Sequence, residues 1–142
     1  MNSKCRWFTM VIVGMLLAAC SAQPAAPSGG VPVSVDGGTY SNITPAQLAE
    51  MLKGDDFFFV NTHIPYEGEI AETDAFIAYD EIAERLNEYP ADTNAKIVLY
   101  CRSGRMSAVA AEELVKAGYT HVWNLDGGMI AWEAAGYELQ GQ

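Results

Sequence analysis

Apolar positions fall into short blocks separated by turn-forming residues. Phe57-Phe58-Phe59-Val60 and Ile97-Val98-Leu99-Tyr100 are continuous runs, the pattern of strands buried on both faces of a parallel sheet. Ala75-Phe76-Ile77 reads as a further short strand and Val122-Trp123-Asn124-Leu125 as the last one. The helical signals lie between and around them. Thr44-Pro45-Ala46-Gln47 is a helix start, with Thr44 as cap, Pro45 at the first helical position and Gln47 reaching back as in a capping box. Leu48, Met51 and Leu52 form its apolar face and Gly54 ends it. Asp80 is placed to cap a helix running to about Glu88. Met106, Val109, Ala110, Leu114 and Ala117 recur at spacings of three and four, one stripe of a helix. Lys116 suits that helix's C-terminus and Gly118 its end. Asp126-Gly127-Gly128 then turns into a short helix from Met129 to about Ala134. Alternating strands and helices predict an α/β fold with a mainly parallel sheet.

The first 38 residues carry a different pattern. Lys4 and Arg6 precede an apolar run from Trp7 to Ala19, shorter than the roughly 20 residues of a membrane span and of the size of a signal-peptide core. The run ends in Leu17-Ala18-Ala19-Cys20, which resembles the lipobox of bacterial lipoproteins. That resemblance implies cleavage before Cys20 and a lipid on its sulfur. Residues 20–38, rich in Pro, Gly, Ser and Ala, read as a flexible tether. The expected organisation is therefore a signal peptide over 1–19, a lipidated tether over 20–38 and one domain over 39–142, held extracytoplasmically at a membrane.

Charge and cysteine count narrow the chemistry. Eight Lys and Arg stand against eighteen Asp and Glu, and no basic stripe suggests a nucleic-acid partner. The three cysteines, Cys5, Cys20 and Cys101, lack metal-ligand spacing and only two His accompany them, so a zinc site is not expected; no cofactor is assigned. Processing would leave Cys101 as the one free thiol in a compartment where thiols usually pair, and six basic residues against the same eighteen acids.

Cys101 directly follows the strand Ile97–Tyr100 and precedes a helix, and in open α/β sheets ligands bind beyond the carboxyl ends of strands. In Cys101-Arg102-Ser103-Gly104-Arg105-Met106-Ser107, main-chain amides can curl round the sulfur, and a helix N-terminus adds partial positive charge. Gly104 allows the tight turn. Arg102 and Arg105 form a small positive island in an acidic protein. These features favour a thiolate, the nucleophilic form of Cys. Ser103 and Ser107 can donate to a bound oxyanion or a persulfide, and Ser107 can equally serve as a helix cap.

Tyr100-Cys101-Arg102-Ser103-Gly104-Arg105-Met106-Ser107 resembles the active-site loop of the rhodanese family. Leu125-Asp126-Gly127-Gly128-Met129-Ile130-Ala131-Trp132 and the following Ala135-Gly136-Tyr137 resemble its C-terminal signature. The resemblance spans about residues 40 to 140. It implies about five mainly parallel strands flanked by helices on both faces. It also implies ping-pong transfer: Cys101 takes sulfane sulfur from a small donor such as thiosulfate, and the persulfide yields it to cyanide or a thiol. The chain departs from the family at two places. Met106 stands where many members carry Arg, with Arg105 one position earlier. Asn61-Thr62-His63 and Gly68-Glu69-Ile70 replace the usual Asp-Val-Arg and Gly-His-Ile. Asn61, His63, Tyr66 and Glu67 are candidates for a polar cleft rim, or alternatively for a re-satisfied structural network. His121 is assigned no role. A Cys-dependent phosphatase would need Arg where Ser107 stands. A non-catalytic rhodanese-like binding module at the membrane surface is the alternative that the altered Asn61–His63 stretch supports. Lipidation makes a direct prediction: radiolabelled palmitate should enter the full chain in a bacterial host and be lost in Cys20→Ala, whereas labelling that survives the substitution contradicts the anchor.

Overall fold

The computed structural model describes residues 30–142; the expected signal peptide and the expected lipidation site Cys20 lie outside them. Six strands and three helices follow in the order β1 (Val31–Val35), β2 (Gly38–Ile43), α1 (Pro45–Met51), β3 (Phe58–Asn61), β4 (Ala75–Phe76), β5 (Lys96–Tyr100), α2 (Arg105–Lys116), β6 (His121–Leu125) and α3 (Gly128–Ala134). The sheet order is β1-β2-β6-β5-β3-β4. All neighbouring pairs are parallel except β1 and β2, which form an antiparallel hairpin.

The hairpin corrects the expected tether, because its last third is strand. Val31, Val33 and Val35 supply alternating β-branched positions, and Val33 and Val35 pack against the core from the sheet's edge. Pro32 within this stretch is the kind of residue that an edge strand tolerates. A sixth strand is thereby added to the expected five. The helix expected from Asp80 to Glu88 is also absent. The segment makes successive short turns ending in a 3₁₀ turn at Leu86–Glu88. Pro90 disfavours a helical residue before it, and Tyr89 is accordingly extended, with its ring carried into the core.

Alternation along the strands divides the core in two. Val60, Ile97, Leu99 and Val122 face α2, where Ala110, Ala111, Leu114 and Val115 close one layer. Phe59, Val98, Tyr100, Trp123 and Leu125 face the other way, against Leu48 of α1 and Met129 and Trp132 of α3. The sheet is thus covered by helices on both faces, as the continuous apolar runs require. The α1 start has the expected capping box: the Gln47 amide donates to Thr44 Oγ1 at 3.3 Å, and the Thr44 amide donates to Gln47 Oε1 at 2.8 Å. Burial of Tyr100 pushes its phenol up to about 12, and its hydroxyl accepts from the Ile70 amide at 3.0 Å. No helix among the described residues is long and apolar enough to cross a membrane.

Candidate active site

Chain direction places the site. β3, β5 and β6 are parallel neighbours, so their carboxyl ends open on one edge of the sheet. Cys101 leaves the end of β5 and lies buried at 1% exposure. Gly104 follows in the left-handed region, φ 85°, and α2 starts at Arg105. A Cβ at Gly104 would stand 3.0 Å from the Gly127 amide nitrogen, so both backbone conformation and space require glycine here. The turn aims the Gly104 amide at the Cys101 sulfur, at 3.1 Å, and brings Ser107 Oγ to 3.5 Å from it. Ser107 is fully buried inside the first turn of α2. It is not the helix cap, a place that Gly104 occupies.

The Gly-Gly turn before α3 clamps this loop from behind. The amides of Met129 and Ile130 donate to the carbonyls of Cys101 and Arg102 at 2.9 and 3.0 Å. Gly128 is what allows the approach: a Cβ there would lie 2.2 Å from the Cys101 carbonyl oxygen and 2.7 Å from the Arg102 carbonyl carbon. Asn124, near the end of β6, holds the loop's other side. Its amide nitrogen donates to the Gly104 carbonyl at 3.3 Å and to Asn42 Oδ1 at 2.9 Å. Sequence reasoning missed Asn124, although a lone buried amide inside an otherwise apolar strand was its visible signal.

Above the sulfur lies a cavity of about 380 Å³ lined by His63, Tyr79, Cys101, Arg102, Ser103, Arg105, Met106 and Val109. All of the loop residues from Cys101 to Met106 except Gly104 therefore face one space. Gly104 and Ser107 work beneath it. Of the proposed rim, His63 lines the cavity, and Glu67 reaches it indirectly by an ion pair with Arg102. Asn61 and Tyr66 are not among its lining. Asn61 is fully buried, donates to the Gly68 carbonyl at 3.1 Å and accepts from the His63 amide at 3.0 Å. It therefore shapes the 62–68 loop from within. Tyr66 is exposed and packs edge-to-face on Phe76. Tyr79 and Val109 join the lining without having been singled out.

The electrostatics centre on one carboxylate. Glu67 Oε2 meets both Arg102 Nη1 and, at 3.1 Å, His63 Nε2. The bond from Arg102, with a smaller contribution from His63, holds the Glu67 carboxyl below its ordinary value. His63 is 7% exposed, and its Nδ1 is buried without a hydrogen-bond partner. Its main chain is fixed by the neighbouring strand: Thr62 donates from both amide and hydroxyl to the Tyr100 carbonyl, at 2.8 and 3.0 Å. His63 thus sits beside the Cys101 loop by strand register, not by chance of a mobile side chain.

A buried thiol at a parallel strand's carboxyl end, followed by a tight glycine turn that aims an amide at its sulfur and leads into a helix, defines a class of α/β domains. Comparison with known proteins gives the class a family. Residues 44–135 match the rhodanese-like domain model, and the chain belongs to that family. It is 33% identical over 99 residues to the thiosulfate sulfurtransferase GlpE of Pseudoalteromonas translucida, covering 68% of this chain and 91% of that protein. It is 46% identical over 55 residues to a sulfurtransferase of Allochromatium vinosum, covering 39% of this chain and 50% of that one. It is 35% identical over 97 residues to the probable adenylyltransferase/sulfurtransferase MoeZ of Mycobacterium tuberculosis, covering 65% of this chain but only 24% of that much longer protein. Among solved structures, a rhodanese-like domain protein from Staphylococcus aureus superposes with TM-score 0.59 at 28% identity, over 71% of this chain and 97% of that one.

Two outcomes test this geometry. Gly128→Ala should destabilise the domain by about 3 kcal/mol in urea unfolding, because a methyl group cannot share space with the Cys101 peptide and the αL backbone is itself strained for Ala; an unchanged midpoint contradicts the clamp. The Glu67 ion pair is present above the carboxylate's ordinary value of 4.5 and is lost as pH falls through its lower folded-state value. NMR titration of the Glu67 carboxyl should therefore give a midpoint under 4.5 that rises in Arg102→Gln, and a wild-type midpoint at or above that value contradicts the pairing.

Proposed function

We propose that the domain is a sulfurtransferase that carries sulfane sulfur as a persulfide on Cys101. The observation that supports this most is the pair of donors converging on one buried sulfur, the Gly104 amide and the Ser107 hydroxyl, at the floor of an open cavity. In the first half-reaction the Cys101 thiolate attacks the outer sulfur of an anionic donor, thiosulfate being the simplest. A new S–S bond forms, the donor's own S–S bond breaks, and sulfite leaves with the bonding pair. In the second, cyanide or a thiolate attacks the outer sulfur of the persulfide, and Cys101 departs as thiolate. No net oxidation occurs and no cofactor is called for. Thiolate, donor and leaving group are all anionic, so preorganised amide and hydroxyl donors and nearby guanidinium groups stabilise each in turn. The sulfurtransferase names of relatives such as GlpE support the same reading.

We place the domain outside the cytoplasm on a lipid carried by Cys20, as the N-terminal pattern suggests. The tether then ends before the β1–β2 hairpin, at about residue 30, instead of at residue 38. With thiosulfate or polysulfide as donor and cyanide as acceptor, the full chain should form thiocyanate, and Cys101→Ser should lose about a thousandfold or more of the rate. A serine variant that retains the wild-type rate contradicts the persulfide route, and a wild type that is inert with both donors returns the domain to the binding-module reading.

A further inference from the structure

The cavity above Cys101 carries less positive charge than its arginines suggest. Among the described residues, five of the six Lys and Arg side chains pair with a carboxylate: Lys53 with Glu50, Arg85 with Glu81 and Glu88, Lys96 with Asp55, Arg102 with Glu67 and Lys116 with Glu113. Arg105 alone makes no such pair, and it lines the cavity. Arg102 lines it too, but Glu67 neutralises it, and the same carboxylate engages His63. The site therefore offers a ligand one uncompensated cation. Arg105 also opens α2, whose first turn holds no acidic residue. A cation at the positive end of a helix is locally unfavourable, and an anion bound between them relieves both charges.

The remaining wall is apolar. Met106 and Val109 stand one turn apart on α2 and share the cavity with Tyr79. Val109 is 45% exposed, one of five large apolar side chains left open to solvent among the described residues. Met106 follows Arg105 in this wall, so a sulfonate turned toward it would meet sulfur and methyl groups in place of donors. Size points the same way. A cavity of about 380 Å³ lies within the range of roughly 300–1,000 Å³ of pockets for small organic molecules, and the five heavy atoms of thiosulfate would leave most of it to water.

We infer that the preferred donor is the persulfide of a small organic thiol carrying one carboxylate on an apolar body, in place of thiosulfate. The inference rests on the persulfide chemistry proposed above and narrows its substrate. The Cys101 thiolate attacks the terminal sulfur of R–S–SH, the donor's S–S bond breaks, and R–S⁻ leaves with the bonding pair as Cys101–S–SH forms. The carboxylate lies on Arg105, and the body of R covers Met106, Val109 and Tyr79. Sulfur keeps its oxidation level throughout, so no further reactant is needed.

The test is single-turnover loading of the full chain in detergent, followed by intact mass. The donors are thiosulfate and the hydropersulfides of 3-mercaptopropionate and of uncharged 2-mercaptoethanol, each rate divided by that donor's rate with free N-acetylcysteine. The carboxylated persulfide should load about tenfold faster than either other donor, as one charge-assisted contact provides. Arg105→Gln should erase that advantage over the uncharged persulfide, and Met106→Arg should raise the thiosulfate rate about tenfold. Thiosulfate loading fastest in the wild type, or equal rates for the two organic donors, overturns the inference and leaves the sulfurtransferase reading standing. Failure of every donor to load Cys101 removes both.

Discussion

The site depends on one close contact between two peptides. At Gly128 the backbone of α3 lies directly on the Cys101–Arg102 peptide, near enough that even a Cβ would overlap it. That approach lets two α3 amides take the carbonyls of Cys101 and Arg102. With those carbonyls turned outward and held, the amide of Gly104 points inward to the sulfur at 3.1 Å. Asn124 holds the same residue by its carbonyl. Cys101, Gly104 and Ser107 of this short loop are buried, so their polar groups must be matched one by one, and the match is what leaves a donor free for Cys101.

Charge placement adds a second layer. The chain is strongly acidic, with a formal net charge of −10, yet two arginines flank the thiol. Only one of them faces the cavity without a carboxylate beside it. Glu67 binds Arg102 and His63 together, which orders the 62–68 loop against the Cys101 loop while cancelling part of the local field. Such an ion pair at the surface contributes little to stability. Its effect is on the shape and charge of the cavity mouth.

Much of this was legible in the sequence, and the limits were physical. Continuous apolar runs announced β3 and β5, because strands covered on both faces need no alternation. The capping box at Thr44 and the glycines at 104 and 118 set helix boundaries through local conformation alone. The Cys101 loop was readable because its spacing encodes a turn. What failed was non-local. Val31–Val35 looked like tether because Pro, Gly and Ser lie among and around its three valines, and only pairing with β2 makes it a strand. The helix expected after Asp80 gave way to turns because Pro90 and the burial of Tyr89 redirect the chain. Asn61 looked like a rim residue and is a buried staple, while Tyr79 and Val109 reach the cavity only through tertiary packing.

The account stands on the capacity of the Cys101 sulfur to accept and hold a second sulfur atom. Intact mass spectrometry of the protein after brief exposure to polysulfide measures this most directly. The account predicts a gain of one sulfur that maps to the peptide containing Cys101, is removed by cyanide and does not appear in Cys101→Ser. An unchanged mass, or a gain that persists in the serine variant, would contradict it.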